Sequence, residues 1–171
     1  MMSSFEQFNV LVAHSNDPMR AAITEMLHGF GFKWVLGASD VKTTLEMLSL
    51  NRIDLFVTHY DKNKLDGLYL TEEMRAGKIK RVANLPIVLV ASEDDDVLMQ
   101  KAMQSGVNIV IATPIVSKDF YSAICALLRE ERSQVKSSRY AGPDRRQVEN
   151  RPTHQQERRD DENDDENLEH F

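Results

Sequence analysis

The sequence predicts an α/β protein: a doubly wound parallel sheet of five strands with helices on both faces, followed by a charged tail. Three observations carry this. Short apolar runs alternate five times with segments of helical periodicity. The runs are continuously apolar, as strands buried on both faces of a parallel sheet must be. Beyond Arg132 the apolar periodicity stops, and Gln134 to Phe171 is rich in Arg, Asp, Glu, Gln, Asn and Ser. Such a segment has too little to bury to offset the entropy of ordering it, so 134–171 is expected to be disordered.

The first strand is expected at Phe8-Asn-Val-Leu-Val-Ala-His14. Asp17 is a good N-cap with Pro18 at the first helical position, and Gly31 ends the helix. Phe32 to Leu36 reads as the second strand, and Asp40 caps the second helix. Ile53 to Thr58 forms the third strand, and a third helix opens near Asp66 in Leu65-Asp-Gly-Leu68. Pro86 to Ala91 is a strongly β-branched fourth strand. Asp95 or Asp96 starts a fourth helix, which Gly106 ends. Asn108 to Ala112 is the fifth strand, and Ser117 opens a fifth helix to about Arg132.

Charge is unevenly placed. Residues 1–133 carry a net −3, residues 134–159 a net +4 and residues 160–171 a net −7. A weakly acidic body is therefore followed by a basic segment and an acidic end. No apolar run approaches the roughly 18 residues needed to span a membrane, and the start, Met1-Met2-Ser3-Ser4-Phe5-Glu6, lacks the features of a signal peptide. A cytoplasmic location is expected. The single Cys125 cannot form an internal disulfide and is read as a buried structural thiol.

The order and spacing of Val10-Leu-Val-Ala-His-Ser-Asn-Asp-Pro-Met-Arg20, Leu65-Asp-Gly-Leu68, Leu85-Pro-Ile-Val-Leu-Val90, Ser105-Gly106 and Thr113-Pro114 resemble the receiver domain of two-component response regulators and chemotaxis receivers. The resemblance covers roughly residues 8–132, so the body is taken as 1–133. It implies the flavodoxin-like (βα)5 fold with strand order 2-1-3-4-5, an order taken over from known proteins of this kind. In that order the first and third strands are neighbours, and His14 and His59 come together.

The resemblance also implies five positions for phosphoryl chemistry, and this sequence departs from all of them. Two adjacent acids that hold Mg²⁺ correspond to His14 and Ser15; the phosphoacceptor aspartate corresponds to His59. The Thr or Ser ending the fourth strand is Ala91, and the Lys before the proline is Thr113. Asp61 matches a position that gives Mg²⁺ a backbone carbonyl. Mg²⁺ takes hard oxygen ligands, carboxylates above all, so the cation site is expected to be lost and no cofactor is expected. The resemblance then implies a pseudo-receiver, with the fold kept and the phosphoryl switch gone.

Other features have plainer readings. His14 and His59 are read as tolerated replacements rather than as a transition-metal site, although a Zn²⁺ site or a pH response is chemically open to a pair of imidazoles. Glu93-Asp-Asp-Asp96 reads as a solvated, helix-capping loop. Trp34 and most methionines (Met19, Met26, Met47, Met74, Met99, Met103) read as packed. In the tail, Ser138-Arg-Tyr-Ala-Gly-Pro-Asp-Arg-Arg146 resembles a segment of some bacterial receiver-like proteins and the Arg-rich extensions by which some bind cyclic di-GMP. There Tyr140, Arg145, Arg146 and Arg151 are the candidates for gripping an anionic nucleotide or a partner. The segment is too short and too balanced in charge for nucleic-acid binding.

The function expected is therefore a non-phosphorylatable signalling protein that docks a kinase, regulator or motor-type component. Nucleotide sensing by the tail and residual phosphoryl acceptance at His59 are the alternatives. No enzyme activity is expected, because no nucleophile–base pair, glycine-rich phosphate loop or metal-ligand spacing stands out in the sequence.

Overall fold

The computed structural model describes residues 5–92 and 95–136, with side chains described as far as 130. The chain runs β1 (Asn9–Ala13), α1 (Asp17–Gly29), β2 (Trp34–Ala38), α2 (Val41–Leu50), β3 (Leu55–Asp61), β4 (Leu65–Asp66), α3 (Gly67–Arg75), β5 (Ile87–Ser92), α4 (Asp96–Ser105), β6 (Ile109–Thr113) and α5 (Ser117–Lys136). The long strands lie parallel in the order β2-β1-β3-β5-β6. This is the expected doubly wound order, with one addition. The two-residue β4 pairs antiparallel with the end of β3, Tyr60 opposite Asp66 and Asp61 opposite Leu65. From sequence this stretch is expected only as the turn before a helix.

The sheet separates two apolar layers. One packs Leu11, Phe56, Leu70, Met74 and Leu89 beneath α2, α3 and α4. The other packs Val12, Ile23, Leu27, Val57, Phe120 and Ile124 beneath α1 and α5. Alternate residues of one strand thus feed opposite layers, as the two-residue period of a strand requires. Burial on both faces accounts for the continuous apolar runs.

Several boundaries differ from expectation for physical reasons. The N-cap of α1 is Asn16, whose side chain accepts from the Met19 N–H at 2.9 Å. Asp17 instead takes the first turn and pairs with Arg20 at 2.6 Å. At the other end Gly31 adopts φ 101°, the Gly31 N–H donates to the His28 carbonyl and the Phe32 N–H to the Leu27 carbonyl. That is a Schellman cap. Phe32 is its buried hydrophobic residue, stacked on Phe5 at 4.6 Å, so β2 begins only at Trp34.

Trp34 is 65% exposed on this edge strand, against the expectation that it packs. Met74 is fully buried, whereas Met99 and Met103 are exposed on α4. Core packing therefore fails as the account of those two. Cys125 is half-buried against the second layer rather than sealed within it. The last helix runs to Lys136, past the expected end near Arg132 and past the boundary placed at 133. No Gly or Pro interrupts Glu130 to Lys136, so a polar stretch of good helix formers carries the helix on.

Candidate functional site

His14 follows directly on β1 and His59 lies near the end of β3, and parallel pairing of these neighbours sets the two imidazoles together. The rings stack face to face, centroids 3.6 Å apart and 5° from parallel. Ser15, the next residue, places its Oγ 3.1 Å from His59 Nε2 and donates to Asp61 Oδ2 at 3.1 Å. Asp61 is two residues after His59 on the same strand, hence on the same face. It is turned inward by the β3–β4 hairpin, where its other carboxylate oxygen accepts from the Asn63 N–H at 3.0 Å.

The hairpin is tied down by Gly67. A Cβ at that position would run into the His59 carbonyl oxygen and stand 2.9 Å from both side-chain tips of Thr58. Only glycine lets α3 begin so close to β3, and Asp66 caps it by accepting from the Leu68 and Tyr69 N–H groups.

His14 is 8% exposed. Its Nδ1 accepts from the Asn16 N–H at 3.0 Å, and its carbonyl accepts from Arg20 Nη1 at 2.7 Å. Burial first, then the His59 ring and the Arg20 charge, push its pKa from 6.5 down to about 4, against a smaller pull from Asp61. Burial also lowers the pKa of His59, opposed by Asp61 and by the Ala13 carbonyl dipole. His59 Nδ1 is buried and has no hydrogen-bond partner. Asp61 is held below the usual carboxylate range, mainly by the Asn63 N–H, with help from Ser15 and His59. At neutral pH the cluster is thus two neutral imidazoles beside one carboxylate.

The remaining positions complete the edge. Ala91 is 6% exposed near the end of β5, paired in register with Ala112. Thr113 ends β6, its hydroxyl directed to the Ala91 carbonyl at 3.5 Å. Neither supplies a cation nor reaches the histidine pair in any described contact. Tyr140, Arg145, Arg146 and Arg151 lie outside the described residues, as do Glu93 and Asp94.

The donor set does not fit Mg²⁺. It offers two imidazoles, one hydroxyl and a single carboxylate, and that carboxylate is already engaged by Ser15 and Asn63. The Asp61 carbonyl accepts from the Lys64 N–H at 3.2 Å. A transition metal fares no better in this geometry. Stacked rings hold their lone pairs in parallel planes 3.6 Å apart, so both cannot aim at one ion.

Sequence reasoning brought His14 and His59 together but missed the link from Ser15 to His59 and Asp61. The signal for Asp61 was present in its two-residue spacing from His59. Ser15 lies 44 residues from His59, and only the register of β1 on β3 joins them.

Comparison with known proteins identifies the family to which this fold belongs. The response regulator receiver domain family matches residues 10–125. A probable chemotaxis protein CheY of Rhizobium etli is 25% identical over 126 residues, covering 74% of this chain and 96% of that protein. A chemotaxis protein CheY homolog of Campylobacter jejuni is 27% identical over 106 residues, 61% of this chain and 80% of that one. Among solved structures, a receiver domain protein from Clostridium thermocellum superposes with TM-score 0.65 at 21% identity over 74% of this chain and 98% of its own. The receiver domain of an HD domain-containing protein from Pseudomonas fluorescens gives TM-score 0.65 at 17% identity, over 74% and 98% of the two chains. No described helix is long and apolar enough to cross a membrane. With the five-stranded parallel order and a family match over most of its length, the chain belongs to the response regulator receiver domain family.

Proposed function

We propose that this receiver does not take up phosphate at its sheet edge and instead acts as a protein–protein interaction module in a two-component or chemotaxis-type pathway. The observation that carries this is His59. It stands where the family's acceptor aspartate is expected, stacked on His14 and lacking the carboxylates that would hold Mg²⁺. An imidazole cannot form an acyl phosphate. Ala91 has no hydroxyl and Thr113 no cation with which to sense a phosphoryl group.

The docking face we assign is built from α4, β6 and α5. Val97 and Met103 are 63% and 67% exposed there, with Met99 at 37% on the same helix. Methionine adapts to irregular partner surfaces, and Met99 and Met103, four residues apart, share one face of α4. The partner class is a kinase, a regulator or a motor-type component.

The test is affinity capture of partners by the full chain, repeated with Val97→Glu and Met103→Glu. Loss of one defined partner in both variants, with the fold intact by circular dichroism, is expected. Equal capture by wild type and both variants would overturn the assignment of this face.

A further inference from the structure

We propose that Ser15 is a nucleophile that accepts a neutral activated acyl group, from an ester or a thioester, with His59 as its base. This reading is independent of the docking role. Ser15 is half-buried at the carboxyl edge of the sheet, where small molecules reach open α/β folds. Its Oγ is 3.1 Å from His59 Nε2, within the range a serine nucleophile requires of its base.

The surroundings prepare the pair. His59 Nδ1 is buried with no hydrogen-bond partner, and Nε2 is the ring nitrogen that faces Ser15. The His14 ring, 3.6 Å away and parallel, fixes the plane of the base. His14 is itself anchored by the Asn16 N–H and is a positioning residue. The Ser15 hydroxyl has one proton and two acceptors at 3.1 Å, Asp61 Oδ2 and His59 Nε2, and rotation about the Cβ–Oγ bond turns it from the first to the second. The α1 N-terminus begins two residues on, and its dipole favours negative charge developing nearby.

The step balances without a further reagent. Ser15 Oγ attacks the acyl carbon while His59 Nε2 takes the hydroxyl proton. The bond to the alcohol or thiol breaks, and the proton passes from His59 to that leaving group. The products are an ester on Ser15 and a free alcohol or thiol. Phosphoryl donors are disfavoured at the same place. The Asp61 carboxylate sits beside the attacking oxygen, and no fitting divalent cation site exists there to offset repulsion of phosphoryl oxygens.

The experiment treats the full chain with p-nitrophenyl acetate and maps acetyl groups by peptide mass spectrometry. Acetylation of Ser15 is expected, absent in Ser15→Ala. His59→Gln should slow it by on the order of 100-fold or more, and added imidazole should restore much of the rate. A role of His59 in folding alone would not respond to imidazole. Acetylation confined to lysines, or equal Ser15 labelling in wild type and His59→Gln, would overturn the proposal. Partner capture by the α4 face is read separately, so failure of either reading is distinguishable.

Discussion

Acidification should destabilise the fold well before its carboxylates titrate. His14 has its pKa lowered from 6.5 to about 4 by burial, by His59 and by Arg20. The unfolded chain therefore binds this proton more readily than the folded one, and stability is full above the unfolded value and falls as pH drops toward the folded one. The displacement is worth about 3 kcal/mol at ~1.36 kcal/mol per tenfold change in proton affinity. Between about pH 7 and pH 4.5 roughly 2–2.5 kcal/mol of that is lost. His59, lowered by burial, acts with the same sign. Asp40 and Asp61 are also lowered, by hydrogen bonds from Thr43 and from Asn63, but their contribution is lost only as pH falls below their ordinary value of 3.8. The two windows are thus separate. Urea unfolding followed by circular dichroism at steps of pH measures the slope directly. His14→Asn keeps an acceptor for the Asn16 N–H and removes the titration, so it should flatten most of the profile. A wild-type stability constant to within about 0.5 kcal/mol over that window would refute the reasoning. So would an undiminished slope in His14→Asn.

Three further outcomes follow from particular contacts. Gly67→Ala should cost about 1–3 kcal/mol by overpacking against the His59 carbonyl and Thr58, measured by urea unfolding. Arg75 donates to the Gly106 and Ala83 carbonyls and to Asn108 Oδ1, joining α3 to the loops before β5 and β6; Arg75→Ala should cost about 2–3 kcal/mol in the same assay, and Arg75→Lys should not restore it, because an ammonium lacks the fork that reaches three acceptors. His59→Asp alone should still take up no phosphate from acetyl phosphate with Mg²⁺, read by intact mass, because positions 14 and 15 still bring no carboxylate.

Much of the fold was legible because apolar runs and caps state it locally. Asp40, Asp66 and Asp95 cap the helices that follow them, and Gly106 ends α4 with φ 99°. The errors have tertiary causes. Phe32 looked like strand because it is apolar, but it serves the Schellman cap of α1. Trp34 looked packed, but its strand is at the sheet edge with one neighbour, and edge position is not written in local composition. Asn16 displaced Asp17 as cap because either side chain can accept the same N–H groups. At the site, the side chains at 14, 15, 59, 91 and 113 were readable residue by residue. The ring stack and the Ser15–His59 contact were not, because the register of β1 against β3 creates both.

Phosphoryl transfer tests the central claim most directly. The full chain and a phosphorylatable chemotaxis receiver are incubated side by side with acetyl phosphate and Mg²⁺, and intact mass is read before and after. The account predicts a phosphate on the control and none on this chain. A phosphate on any residue of the receiver body would contradict it, and its location at an Asp or at His59 would show which position had been misjudged.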